Sequence, residues 1–440
     1  MAQNEPVGRS DSSASWKHWL IVAMFLLAYI FSFADRMILG LMVEPLKRDL
    51  LLTDTQISLL QGVAFAVFYT LAGLPLGRVI DRMHRPRIAA VGIALWSAMT
   101  ALSGLAQNYV HLLLARMGVG IGEATLSPAA YSLFADLFDR RRLGTALGIY
   151  NFGTSIGAGL AMILGGAIVQ FSSSQYPVVI PLLGVIRPWQ QTFFYLGLPG
   201  LLVALMFLWI PESKQRAAST RATATMTVRE VVSYAWGRRS ALTPHHLGVA
   251  FSVLASFAII SWMPVMLVRV HGWGIAQAGL AVGLALLVGG VIGLAGGGWL
   301  SDRWHLRERT AGRMRLSGYA SLLGIPAAAV FALQSGPLAA VGLFCMAYIC
   351  SILPVSAAGA ALQELVPAQI RGQMSAFYLF VINLIGIGLG STAVALLSDR
   401  VFTDPQGVRY SLAVVAPIAL ALAALCYFVS LGPVRRAEAD

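Results

Sequence analysis

Four ionisable side chains lie inside apolar stretches: Asp35 and Arg36, adjacent in FSFADRMIL, and Arg116 and Glu123, seven residues apart in ARMGVGIGE. A charge in membrane hydrocarbon costs about 2.5–3.5 kcal/mol or more, so such groups are paired and functional by default. Seven residues of helix cover about 10.5 Å and return to nearly the same face, so Arg116 and Glu123 look in one direction. Asp35 and Arg36 point about 100° apart and need separate partners. Matching heights along two antiparallel helices pairs Asp35 with Arg116 and Arg36 with Glu123. Loss of water favours a protonated carboxyl and a nearby arginine favours the ionised one, so a pair that breaks and reforms can bind and release a proton. Asp35 and Glu123 are the candidate proton carriers. Arg36 is the candidate anion site, because its planar fork donates two parallel bonds to a phosphate or carboxylate; Arg116 and Glu123 share that site. The plainer alternative is a static ion-pair cluster that clamps two helices together.

The elements that must hold these groups are membrane helices. The chain has 440 residues, 58% of them hydrophobic and 11% charged, with mean hydropathy +0.74. A soluble domain is about 25% charged. About 20 apolar residues cross the hydrocarbon core. That length gives twelve spans, near 19–43, 55–78, 87–107, 109–134, 143–171, 189–210, 245–268, 273–300, 313–333, 338–362, 370–397 and 409–432. The expected class is therefore an all-α membrane protein of two six-helix bundles. Its parts are a tail (1–18), a first bundle (19–210), a linker (211–243), a second bundle (244–434) and a short tail (435–440). Most Lys and Arg fall in loops on the side of the termini, which puts both termini in the cytoplasm. The first fifteen residues lack a signal-peptide pattern, so the first helix is expected to be kept. Compact loops and a high Arg-to-Lys ratio fit a bacterial inner membrane.

The halves repeat. Gly77, Asp81 and Arg82 recur as Gly298, Asp302 and Arg303, each 221 residues later, and Asp136 after span four matches Glu364 after span ten. These groups read as a cytoplasmic gate, with Arg82 expected on Asp136 and Arg303 on Glu364, and with Arg85 closing the first motif. GRVIDRMHR resembles the loop signature G-x-x-x-D-R-x-G-R of the major facilitator superfamily, with His84 in place of its usual glycine. FADRMILG, ARMGVGIGEATLSPAAYSLFADLF and LGTALGIYNFGTSIGAGLA are similar to the spinster-type lipid transporters. That resemblance implies secondary active transport of a lysophospholipid-like or sphingoid lipid, linked to protons, by alternating access of two halves.

Tyr131, Tyr150 and Asn151 in the first half, and Asn383, Trp262 and Tyr378 in the second, are further candidates to line the substrate cavity. A lone polar residue there is more often a helix-to-helix hydrogen bond. No Asp, Glu, Lys or Arg falls in the middle of spans seven to twelve. An amphipathic lipid would then set its head on the first half and its tail on the second. Expected partners are that substrate, protons and membrane lipids, with the protein a monomer. A hydrophilic organic anion such as a sugar acid is the second substrate class, and a lipid receptor that moves nothing is a third reading. The net charge of +12 is spread over short loops, so nucleic acid is not an expected partner. Gly118–Gly122 follows no strand, so it reads as close helix packing, not a dinucleotide loop. No ATPase, hydrolase or metal-ligand motif appears, and Cys345, Cys350 and Cys426 all sit in apolar segments, so no enzyme activity, cofactor or metal is expected.

Overall fold

The computed structural model describes residues 16–80, 83–181, 184–212 and 228–439. Twelve membrane-length helical spans run through the described residues. In the first half they are α1 (Trp16–Leu41), α2 (54–80), α3 (Arg85–Ser103), α4 (109–137), α5 (Arg140–Ser174) and α6 (Pro188–Phe207). In the second they are α7 (Arg239–His271), α8 (275–307), α9 (310–333), α10 (Pro337–Leu365), α11 (371–400) and α12 (Val408–Ala439). Ten stretches pass a simple length and hydropathy test. The other two spans escape it for physical reasons. Non-helical backbone at Glu308 and Arg309 divides 275–333 into α8 and α9. α4 is broken after Glu123 into Tyr109–Glu123 and Leu126–Leu137.

Span ends fall within a few residues of expectation except at three places. α8 continues about two turns past residue 300, α12 about two turns past residue 432, and α7 begins at Arg239. The apolar segment before α6 forms a two-stranded hairpin, Val178–Ile180 against Gly184–Ile186. Gly184, at φ +76°, takes a left-handed conformation at its turn that a side chain would oppose.

Both described termini lie on one face of the membrane domain, the terminal face. Each half has its own apolar core near that face, the first built on residues such as Phe25, Phe134 and Phe207 and the second on residues such as Leu362, Tyr427 and Met374. A third core crosses both halves towards the far face, joining Leu39 and Met42 to Met266 and Leu286. Small residues allow that crossing. A Cβ on Gly283 of α8 would sit 2.6 Å from the Gly159 carbonyl oxygen of α5, and one on Gly62 of α2 would sit 2.8 Å from the Gly388 carbonyl of α11. Helices in lipid approach this closely only through small residues. Towards the terminal face the glycines tell the opposite story. Among the described residues nothing lies within 4 Å of a Cβ built on Gly77, Gly144, Gly298 or Gly372.

Polar contacts also join the halves at the far face. Arg269 of α7 donates to both Asp54 oxygens at 2.7 and 2.8 Å and to Glu44 at 2.6 Å, while Lys47 reaches Asp54 at 2.6 Å. Asp399 of α11 accepts from the Thr55 amide at 2.7 Å and the Thr55 hydroxyl at 2.6 Å, at the start of α2. A carboxylate there meets free N–H groups and the positive end of the helix dipole. Arg269→Ala should loosen this seal. Maleimide labelling of a cysteine placed at Met266, in a background lacking the three native cysteines, should rise by roughly tenfold from the far face, about 1.4 kcal/mol in the open–closed balance. Unchanged labelling would mean that the apolar core alone holds the far face shut.

Candidate functional site

α1 and α4 carry the charged site. α1 puts Asp35 and Arg36 on different faces, as 3.6 residues per turn requires. Asp35 faces α3 and the outer part of α4. Arg116 donates to its two carboxylate oxygens at 2.9 and 3.2 Å and to its carbonyl at 3.3 Å, and Thr100 of α3 adds a bond of 2.7 Å. Both partners are 2% exposed. Arg36 turns to the inner part of α4. Its Nε donates to Glu123 Oε2 at 2.7 Å and its Nη2 also pairs with that oxygen, while Ser32 donates to it at 2.6 Å. The guanidinium lies 4.2 Å from the Phe65 ring centre, 4.9 Å from Phe33 and 5.3 Å from Tyr69. Flat aromatic faces around a cation stabilise it without supplying a counter-charge. The other oxygen, Glu123 Oε1, is buried without a hydrogen-bond partner.

The two ion pairs differ in kind. Asp35–Arg116 is bidentate, enclosed and cross-braced by Thr100. Arg36–Glu123 shares one carboxylate oxygen, leaves the other free and borders a small cavity. α4 breaks immediately after Glu123, and Thr125 folds its hydroxyl onto the Gly122 carbonyl at 2.9 Å. The Gly122 Cβ position lies 2.8 Å from the Trp96 amide, so α3 presses against α4 at the break.

The remaining expected residues are distributed unevenly. Tyr131 donates to Asn151 at 3.0 Å, and Tyr150 stacks on Tyr29 at 4.5 Å and bonds Ser127 at 2.9 Å, which makes a polar aromatic group below the ion pairs. Asn383 lies in a π-helical turn of α11, half-buried. Trp262, expected as a substrate residue, is wholly buried in this conformation and donates to the Ser391 carbonyl at 2.9 Å as part of the far-face core. Tyr378 packs between two buried imidazoles, His245 at 5.8 Å and His246 at 5.7 Å between ring centres. Those histidines were not singled out from sequence, so the second half is free of buried Asp and Glu but not of ionisable groups.

At the terminal face the repeat holds with a shift. Asp81 and Arg82 lie outside the described residues. Asp136 pairs with Arg85 at 2.6 Å, and Arg85 also holds Glu212 at 2.8 Å. In the second half the expected Arg303–Glu364 pair is replaced. Arg303 stacks on Trp299 at 4.1 Å, while Arg313 bonds Glu364 at 3.1 Å and Asp302 at 3.0 Å. Arg85 to Arg313 and Asp136 to Glu364 are both 228 residues, whereas Gly77 to Gly298 is 221. The stretch from Gly298 to Arg313 is seven residues longer than that from Gly77 to Arg85, because α8 runs on past its motif, and the arginine that meets Glu364 therefore lies beyond the motif arginine.

Removing one partner of a buried pair strands the other charge and costs about 3–5 kcal/mol. Arg116→Ala should lower the melting temperature of the detergent-solubilised protein markedly. The double variant Asp35→Asn with Arg116→Gln should recover most of the loss, and a double variant no more stable than the single one would show that the pair is not the clamp.

The Major Facilitator Superfamily family model matches residues 25–391. The chain is 28% identical over 433 residues, 97% of its length and 96% of the relative's, to an MFS-type efflux pump of Mycolicibacterium smegmatis. It is 25% identical, over 88% of its length and 90% of the relative's, to a hexuronate transporter of Bacillus subtilis. In structure it is similar to a bacterial homologue of the human lysosomal transporter Spinster captured inward-facing and occupied, with TM-score 0.79 at 23% identity, over 97% of this chain and 98% of that one. Twelve apolar spans in two related halves, a charged α1–α4 site and a match over most of the sequence lead to one conclusion: the chain is a transporter of the Major Facilitator Superfamily.

Proposed function

We propose that this transporter moves an amphipathic lipid with an anionic head group, lysophospholipid-like or sphingoid, across the bacterial inner membrane by proton-coupled alternating access. The observation that supports this reading is the state of Arg36. Its counter-charge is a carboxylate with one free oxygen, and its other neighbours are aromatic rings that remain whatever anion it holds. A substrate phosphate or carboxylate that takes the fork of Arg36 leaves Glu123 without its partner, and Glu123 then takes up a proton. When the anion departs, the pair reforms and the proton leaves. Asp35, held by Arg116 and Thr100, keeps its charge in this scheme and sets the position of the α1 turn that presents Arg36.

The halves rock about their shared far-face core, with residues 211–243 as the link between them and both termini in the cytoplasm. In the opposite conformation the splayed terminal-face ends meet, and Gly77 and Gly298 become the points of close approach between gate helices. The Arg85–Asp136 and Arg313–Glu364 pairs stiffen the two halves of that gate, the second next to Asp302 and Arg303. The protein works as a monomer in this scheme.

A second reading, a hydrophilic organic anion such as a sugar acid, is favoured by the hexuronate-transporting relative. It uses the same arginine and carboxylate. Proteoliposome uptake decides between the two. Lysophospholipid uptake should rise with an imposed pH gradient, and Glu123→Gln should remove at least about nine-tenths of the gradient-driven part while leaving head-group binding measurable. Gradient-driven uptake of a sugar acid, with no lipid uptake, would replace the first reading with the second. Arg36→Lys should weaken binding of either anion by roughly tenfold, because a point charge replaces a two-bond fork; equal affinity would remove Arg36 from the binding site.

A further inference from the structure

Gln61 is a buried amide with both of its polar atoms unpaired. Its Oε1 and Nε2 are shielded from solvent and neither has a hydrogen-bond partner. It lies in the π-helical turn Leu59–Val63 of α2. The next residue, Gly62, packs against the α11 backbone so closely that a Cβ would sit 2.8 Å from both the Ile387 and Gly388 carbonyl oxygens. Residue 61 is thereby fixed at the seam between the halves. It lines a small cavity with Arg36 and Met37 of α1, Met162 of α5, and Phe257 and Ser261 of α7.

A buried polar group left unpaired costs about 1–3 kcal/mol, and native structures rarely keep one without a use. The cavity supplies that use. Its polar lining residues are Arg36, Gln61 and Ser261, and the others are apolar. The amide offers a donor and an acceptor side by side. A phosphate or carboxylate can only accept, and would leave Oε1 unpaired. A hydroxyl both donates and accepts, and satisfies both atoms.

We infer that Gln61 reads a hydroxyl group of the substrate, close to the anionic group held by Arg36, and so sets specificity for hydroxylated anions. This inference rests on the proposed role of Arg36 as the anion site. Two sources share the chemistry: a lysophospholipid, whose glycerol hydroxyl neighbours its phosphate, and a sugar acid, whose hydroxyls neighbour its carboxylate. A site built to bond a hydroxyl rejects the analogue that lacks it far more strongly than an apolar site does.

The test measures dissociation constants for the purified full-length protein, native and Gln61→Leu, with two pairs of probes. One pair is lysophosphatidic acid and its deoxy analogue, a 3-acyloxypropyl phosphate with the same acyl chain, which differ only in the hydroxyl beside the phosphate. The other is gluconate and 2-deoxygluconate. The native protein should prefer the hydroxylated member of one pair by at least about tenfold, and that pair identifies the source. In Gln61→Leu, or in Gln61→Met where the leucine variant does not fold, the preference should fall to about one, with the deoxy probe bound as before. A merely structural glutamine would weaken both members equally, and an unchanged preference in the variants overturns the inference while leaving Arg36 in place. A native protein that binds a phosphate or carboxylate with no hydroxyl preference also overturns it. Binding of none of the four probes overturns the anion reading of Arg36, and this inference with it.

Discussion

The constraint on which the rest of the structure depends is the placement of two adjacent opposite charges on one membrane helix. Asp35 and Arg36 cannot satisfy each other across a single peptide step in helical geometry, so each recruits a partner from α4. Because those partners are seven residues apart on α4, the helix offers both from one face, and the crossing of α1 and α4 is fixed in height and rotation by two ion pairs at once. A slip of either helix by one residue would leave two charges unpaired in a low-dielectric interior, where an uncompensated charge is expensive. The α1–α4 crossing is therefore the stiff reference of the first half. The break in α4 after Glu123 lets its inner part, with Tyr131, take a separate direction without disturbing the ion pairs.

Against that stiff reference, the join between halves is built to move. At its closest approaches it relies on small residues and backbone contact, as between Gly159 and Gly283 and between Gly62 and Gly388, beside the apolar core of the far face. Smooth helix surfaces slide or tilt at low energetic cost, because no side chain has to leave a hole. The far-face polar network adds a latch of a different character. Arg269 is held by two carboxylates, and Asp399 caps a helix from the other half. These bonds break together when α7 and α11 leave α2, and water can replace each of them at that face. The crowded glycines at one face and the open ones at the other record which conformation the chain occupies.

Much of this was legible in the sequence. Twelve spans follow from length and hydropathy, since backbone in lipid has few alternatives to a helix. The pairing of Asp35 with Arg116 and Arg36 with Glu123 follows from helical phase and matched heights, because four charges on two helices admit few arrangements. What was not legible depended on loops and on conformation. The Arg303–Glu364 pairing took the motif arginine as the partner, whereas the bond is made by Arg313, the counterpart of Arg85, which lies ten residues further on after the extension of α8. Trp262 has the composition of a cavity residue, but its exposure is decided by how far α7 and α11 are closed, which no local pattern encodes. The Arg269–Asp54–Glu44 cluster joins residues over two hundred positions apart and carries no motif.

The unequal treatment of the two ion pairs ties structure to transport. A transporter needs one charge that stays and one that changes hands. If both pairs were bidentate and enclosed, an incoming anion would have to pay the full cost of separating a buried salt bridge, and binding would be slow and weak. If both were loose, α1 would lose its registration on α4, and the anion site would have no fixed position. Here the pair that is braced by a third side chain, Asp35–Arg116 with Thr100, carries the registration. In the proposed scheme the pair that leaves a carboxylate oxygen without a partner, Arg36–Glu123, is the one an anion enters, from the cavity that Arg36 lines. The three aromatic rings around Arg36 complete the division, because they hold the guanidinium in place during the exchange and compete with neither carboxylate nor substrate.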